Sequence, residues 1–153
     1  MSSTGSLKTF LKEKKARDEE SGRLAGKEEK IQQRLTAIDT LFTSIALWLK
    51  PSADEGIVKI ERDPYSHSDD QLGMLTEESL KVVVGASEVF FWPRTGTIAG
   101  ASARVDMTCG DRTLPVVLLS DRGWHFLIRG PVTRTEPVTE DSFGDALREI
   151  LGG

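Results

Sequence analysis

Residues 24–49, LAGKEEKIQQRLTAIDTLFTSIALWL, decide the fold. Leu24, Ile31, Leu35, Ile38, Phe42, Ile45 and Leu49 recur at spacings of 7, 4, 3, 4, 3 and 4, an a/d heptad pattern that Glu28 alone interrupts. From Ile38 onward Leu41 and Trp48 widen the stripe. A narrow stripe suits contact with one other helix, and a wide one suits burial in a core. The pattern therefore predicts a helix of two natures, an exposed coil-forming arm that ends packed on the rest of the domain. Pro51 is expected to stop it.

Upstream, residues 12–30 are almost wholly polar, and Gly22 and Gly26 each cost up to ~1 kcal/mol of helix propensity. A hinge is expected near 22–26. Leu7, Phe10 and Leu11 form a small apolar anchor ahead of that stretch, with Ser6 as a candidate cap. The domain division that follows is an N-terminal helical arm over 1–50 and a sheet domain over 51–153.

The second part reads as strands. Short apolar runs are expected to pair at 56–62, 80–84, 88–93, 99–109, 114–120 and 124–129, with a polar loop from Asp63 to Glu78. The clearest is Ala99–Cys109, whose odd positions are small or apolar and whose even positions are mostly polar. Gly110, Asp111, Arg122 and Gly123 supply tight turns. Phe143, Ala146, Leu147, Ile150 and Leu151 mark a short last helix capped by Thr139 or Ser142, and Gly152-Gly153 reads as its C-terminal cap. The fold class is α+β: a long amphipathic helix, an antiparallel meander of about five to six strands, and a C-terminal helix.

Composition narrows the function. The 153 residues suffice for a core without staples, and a single cysteine, Cys109, excludes an internal disulfide. The first residues lack a basic run leading into an apolar one, and 41–49 is far short of the ~20 residues that span a membrane. A cytoplasmic protein is the expectation. The net charge of −4 is uneven: residues 1–50 hold ten bases against seven acids, and residues 51–153 hold ten against seventeen. An acidic total repels nucleic-acid phosphate unless a local basic face outweighs it.

No recognisable catalytic constellation is present. Nucleophilic catalysis would need Cys109 beside a histidine, and His125, alternating with Trp124 and Phe126, is expected to face solvent instead. Glu61, Asp63, His67, Asp69 and Asp70 lack the spacing of a calcium loop, and a solvated acidic loop is the simpler reading. No cofactor or metal is expected. The sheet offers a better candidate. Every base between Val82 and Val138 is arginine, and Arg94, Arg104 and Arg129 lie among Trp92, His125 and neighbouring aromatics. Such surfaces bind single-stranded nucleic acid or anchor protein interfaces.

The expectation is thus a small acidic, non-catalytic interaction protein, of the immunity, antitoxin or chaperone kind. Its partner is another protein or a second copy, which would form a homodimer through the seam Leu24, Ile31, Leu35, Ile38, Phe42, Ile45 and Leu49. A single-stranded nucleic-acid-binding module is the alternative.

Overall fold

A computed structural model describes residues 3–69, 72–95, 100–120 and 122–152, with the side chains of 3–5, 23 and 24 outside that description. Asp70, Ala99, Gly153 and the side chain of Leu24, all singled out above, lie outside the described residues. The element order is one long helix α1 (Ser3–Asp54), seven strands and a closing helix α2 (Glu140–Ile150). The strands are β1 (Val58–Asp69), β2 (Gly73–Val84), β3 (Ser87–Arg94), β4 (Ala101–Cys109), β5 (Arg112–Leu119), β6 (Gly123–Ile128) and β7 (Arg134–Pro137). They form one antiparallel sheet in chain order, a meander in which each strand pairs with the next. The α+β architecture is the expected one, with seven strands rather than five or six.

The largest departure is the stretch expected as a polar loop. Residues 63–78 are the far half of a long hairpin, in register from Val58↔Val84 to Asp69↔Gly73. Pro64 is tolerated there because β1 is an edge strand, where a missing N–H costs no ladder bond. Two further prolines obey the same rule within the sheet. Pairing of β2 with β3 ends at Leu80↔Phe91, so Pro93 has a neighbour only in β4. Pairing of β5 with β6 begins at Val116, so Pro115 likewise has only β4 beside it.

The chain divides into two compact units, residues 1–33 and 34–153. In the first, the described part is helix alone, and α1 continues without a break through Gly22 and Gly26. Its side chains from Ser6 to Gly22 are exposed, including Leu7, Phe10 and Leu11 at 57, 53 and 53%. Lys14 and Asp18 pair at 3.0 Å, a one-turn spacing that favours the helix by a few tenths of a kcal/mol.

The second unit holds the core. Ile38, Leu41, Phe42, Ile45 and Leu49 of α1 pack with Leu80, Val82, Val89, Phe91, Val105, Met107, Val116 and Phe126 of the sheet and with Phe143, Ala146 and Ile150 of α2. Phe91 lies at the centre, edge-on to Phe42 and tilted against Phe143. Trp48 rests on Phe143 and Trp124 donates its indole N–H to the carbonyl of Ala37, so three aromatic contacts fix both helices to one face of the sheet. The helix runs three residues past Pro51, because proline's φ is helical and only its own N–H bond, to Leu47, is lost. A reciprocal cap starts α2: the Ser142 N–H donates to the Thr139 hydroxyl at 3.1 Å, and the Thr139 N–H donates to Ser142 Oγ at 2.8 Å. Gly152, at φ +81°, closes it with an N–H bond to the carbonyl of Glu149.

Candidate interaction surfaces

Strand alternation divides the sheet side chains of the second unit between two faces. The apolar face carries the core and both helices. The other carries Glu61, Asp63, Tyr65 and His67 of β1, Glu77, Ser79 and Lys81 of β2, Phe90, Trp92 and Arg94 of β3, Arg104 and Asp106 of β4, Val117 of β5 and His125 of β6, as the register requires.

On this second face four rings form a row. Phe90 and Trp92 stack at 5.1 Å, Trp92 meets Tyr65 at 5.2 Å, and Tyr65 stacks on His67 at 4.9 Å. Alternation places Phe90 and Trp92 side by side on β3, and the β1–β2 hairpin brings Tyr65 and His67 against them. The basic groups around the row are paired. Lys81 lies 6.0 Å over the Phe90 ring and 3.0 Å from Glu61. Asp106 accepts from Arg104 at 2.8 Å and lies 3.4 Å from Arg94, which also donates to the Tyr65 hydroxyl at 3.5 Å. Hydrogen bonds from Lys59 and Lys81 hold the Glu61 carboxyl below its ordinary range, and the same contact with Glu61 raises the Lys81 ammonium above its own.

At the end of the row β2 has parted from β3, and Arg34 fills the opening. Its guanidinium grips Glu77 through Nε at 2.5 Å and Nη2 at 3.3 Å, and donates to the carbonyl of Arg94 at 2.8 Å. His67 engages the second oxygen of Glu77, whose side chain is 1% exposed. A buried carboxylate needs such partners, since leaving a charge unpaired in the interior costs several kcal/mol.

A third feature lies on the helix side. Leu35, Ile38 and Phe42 of α1, with Arg62, Pro64 and Glu78 of the hairpin, line a groove of about 400 Å³. Arg62 crosses its floor, pairing with Asp39 at 2.7 Å while its guanidinium carbon sits 5.8 Å from the Phe42 ring centre.

Of the sheet residues expected to form a binding surface, Trp92, Arg94 and Arg104 come together. His125 shares their face yet is only 6% exposed, which corrects the expectation that it faces solvent. Its Nδ1 lies 3.0 Å from the Gly123 carbonyl. Arg129 follows the end of β6 and lines a separate cleft with Asp145 and Glu149 of α2. Cys109 packs toward the core on the opposite face from His125, so the two form no dyad. Of the helical seam, Ile38, Phe42, Ile45 and Leu49 are consumed by the protein's own core, whereas Ile31 and Leu35 are half-buried.

Arg34, Tyr65 and Glu77 are residues that apolar patterning does not single out. Arg34 sits inside the seam's neighbourhood and reads as a surface base, and the other two sit in what looked like loop. Their one signal was alternation: Tyr65, His67 and Leu75, Glu77, Ser79 keep strand phase through a polar stretch.

No helix among the described residues is long and apolar enough to cross a membrane. Set against protein-family models, curated proteins and solved structures, the chain has no match in any of the three.

Proposed function

We propose that this is a non-catalytic protein–protein interaction protein that self-associates through α1 and offers its aromatic sheet face to a further protein. One observation carries the reading: Leu7, Phe10 and Leu11 recur on one side of a helix at spacings of three and four, each more than half exposed. Isolated polar helices are marginal in water, and most helical stability in proteins comes from packing an apolar stripe. Each such side chain gains about 1.5–3 kcal/mol on full burial, so a partner helix supplies what the sequence of α1 lacks.

Light scattering across a concentration series tests it. A mass that rises toward twice that of the chain is expected, and a strict monomer at about 100 µM overturns self-association.

The aromatic row supports the second half of the reading. Stacked rings with neutralised bases resemble the anchors of protein interfaces, where aromatics and arginine are enriched. They also keep the nucleic-acid alternative in view, because bases stack on such rings. The pairing of Lys81, Arg94 and Arg104 with carboxylates weighs against it, since little positive charge is left for phosphate. Anisotropy of a labelled oligothymidine at low salt separates the two: no binding is expected, and binding lost on Trp92→Ala reverses the choice.

A further inference from the structure

We infer that α1 pairs antiparallel with α1 of a second copy, in the register that sets Phe10 of each chain against Leu35 of the other and brings Leu7 to the mouth of the groove beside it. The inference rests on the self-association reading and adds orientation, register and the groove's occupant.

Counting back in sevens from Phe42 gives Leu35, Glu28, Ser21, Lys14 and Leu7, and from Ile38 it gives Ile31, Leu24, Arg17 and Phe10. One seam thus runs through the whole helix, apolar at both ends and interrupted by Lys14, Arg17, Ser21 and Glu28. Those interruptions choose the orientation. A parallel, in-register pair would stack Lys14 on Lys14, Arg17 on Arg17 and Glu28 on Glu28, and would set Glu13 against Asp18 at the flank. Antiparallel pairing alternates the two sets instead. With Phe10 opposite Leu35, the next layers are Lys14 with Ile31 and Arg17 with Glu28, each occurring twice by symmetry. The residues just before the first set then face one another, which places Glu20 against Lys27 of the second copy. Arg17 thus meets Glu28 across the seam, and Lys14 lays its methylene stem along Ile31 while its ammonium pairs with Asp18 of its own helix.

The structure supplies the end of the track. Ile31 and Leu35 are half-buried, the sheet takes over the stripe from Ile38 onward, and the groove lies at that changeover. Its apolar lining is Leu35, Ile38, Phe42 and Pro64, with Asp39, Arg62 and Glu78 among the polar residues beside them. In this register the exposed triplet Leu7, Phe10 and Leu11 of the second copy arrives there. One chain's most exposed apolar cluster on α1 fills the other chain's apolar groove, and the exchange is reciprocal.

Charge swapping in the full-length chain tests the register. E20K is expected to weaken the dimer about tenfold, and E20K/K27E to restore it, because each pair is present twice. Phe10→Ala, at an exposed position that leaves the core intact, should weaken it about a hundredfold. In a Cys109→Ser background, a mixture of E20C and K27C chains should oxidise to the mixed disulfide. A dimer that forms E20C–E20C disulfides, or that the charge swap fails to rescue, overturns the antiparallel register while self-association stands. A chain that stays monomeric in light scattering overturns both.

Discussion

The two faces of the sheet solve the same problem by different means. Both put side chains out of water on the same strands, one residue out of phase. On the helix-covered face nearly everything buried is apolar, and its stability grows with area and packing quality. On the other face Leu75 and Val117 are buried too, but the buried groups there also include Glu77, Ser79, Asp106 and His125, each held by a specific partner or a backbone carbonyl. The first face tolerates any shape that fits; the second depends on pairs, so one lost partner leaves the other stranded.

Substitution should separate these regimes most sharply at Phe91 and at Glu77. Phe91→Ala removes a ring 1% exposed that touches Phe42 and Phe143, and about 3–5 kcal/mol of stability should go with it in urea unfolding. No second substitution nearby should recover more than part of that loss. Glu77→Ala should cost about 3 kcal/mol or more, because Arg34 keeps a buried charge with its carboxylate gone. Here rescue is expected: Arg34→Leu combined with Glu77→Leu should return most of the stability, since well-packed apolar groups replace buried ion pairs at little net cost. A double variant as unstable as the single one would mean that the pair contributes packing that leucines cannot reproduce.

Trp92→Ala sharpens the contrast at an intermediate size. The ring is half-buried between Phe90 and Tyr65, and two ring contacts at roughly 0.5–1.5 kcal/mol each set the scale. A stability loss of about 1–2 kcal/mol is expected in urea, with the apolar face unaffected. A loss matching that of Phe91→Ala would show the row to be a second core rather than a surface.

The same contrast explains what the amino-acid sequence revealed. Apolar periodicity is a strong local signal, so the stripe of α1, the inner strands β3 to β6 and the amphipathic α2 were all legible within a few residues. Polar strands give a weak one. Residues 63–69, Asp-Pro-Tyr-Ser-His-Ser-Asp, have turn-forming composition, and only pairing with β2 makes them a strand. The candidate site was legible as far as Trp92, Arg94 and Arg104, which neighbouring strands bring together. The link from Arg34 to Glu77 spans 43 residues and depends on where β2 leaves β3, which no local pattern encodes. The burial of His125 is not legible in its phase, which tells which face a side chain takes and not whether its neighbours cover it.

The smallest effect belongs to Glu61, at the outer margin of the paired face. Lys59 lies 2.8 Å from one of its oxygens and Lys81 3.0 Å from the other. Both hold the carboxyl below its ordinary value of 4.5, so the folded chain binds a proton there less readily than the unfolded one. That contribution is in place above pH 4.5 and is lost as the pH falls from there through the lowered folded value. Glu61→Gln should therefore reduce the urea midpoint slightly at neutral pH, and the difference should shrink as the pH falls below 4.5 and through the lowered folded value. Salt should shrink the neutral-pH difference, because the side chains involved are partly or largely exposed and the attraction is screened. Glu77 gives the opposite control: its contact with Arg34 is buried, so the loss in Glu77→Ala should change little with added salt. Equal salt sensitivity at the two positions would erase the distinction between margin and interior on this face.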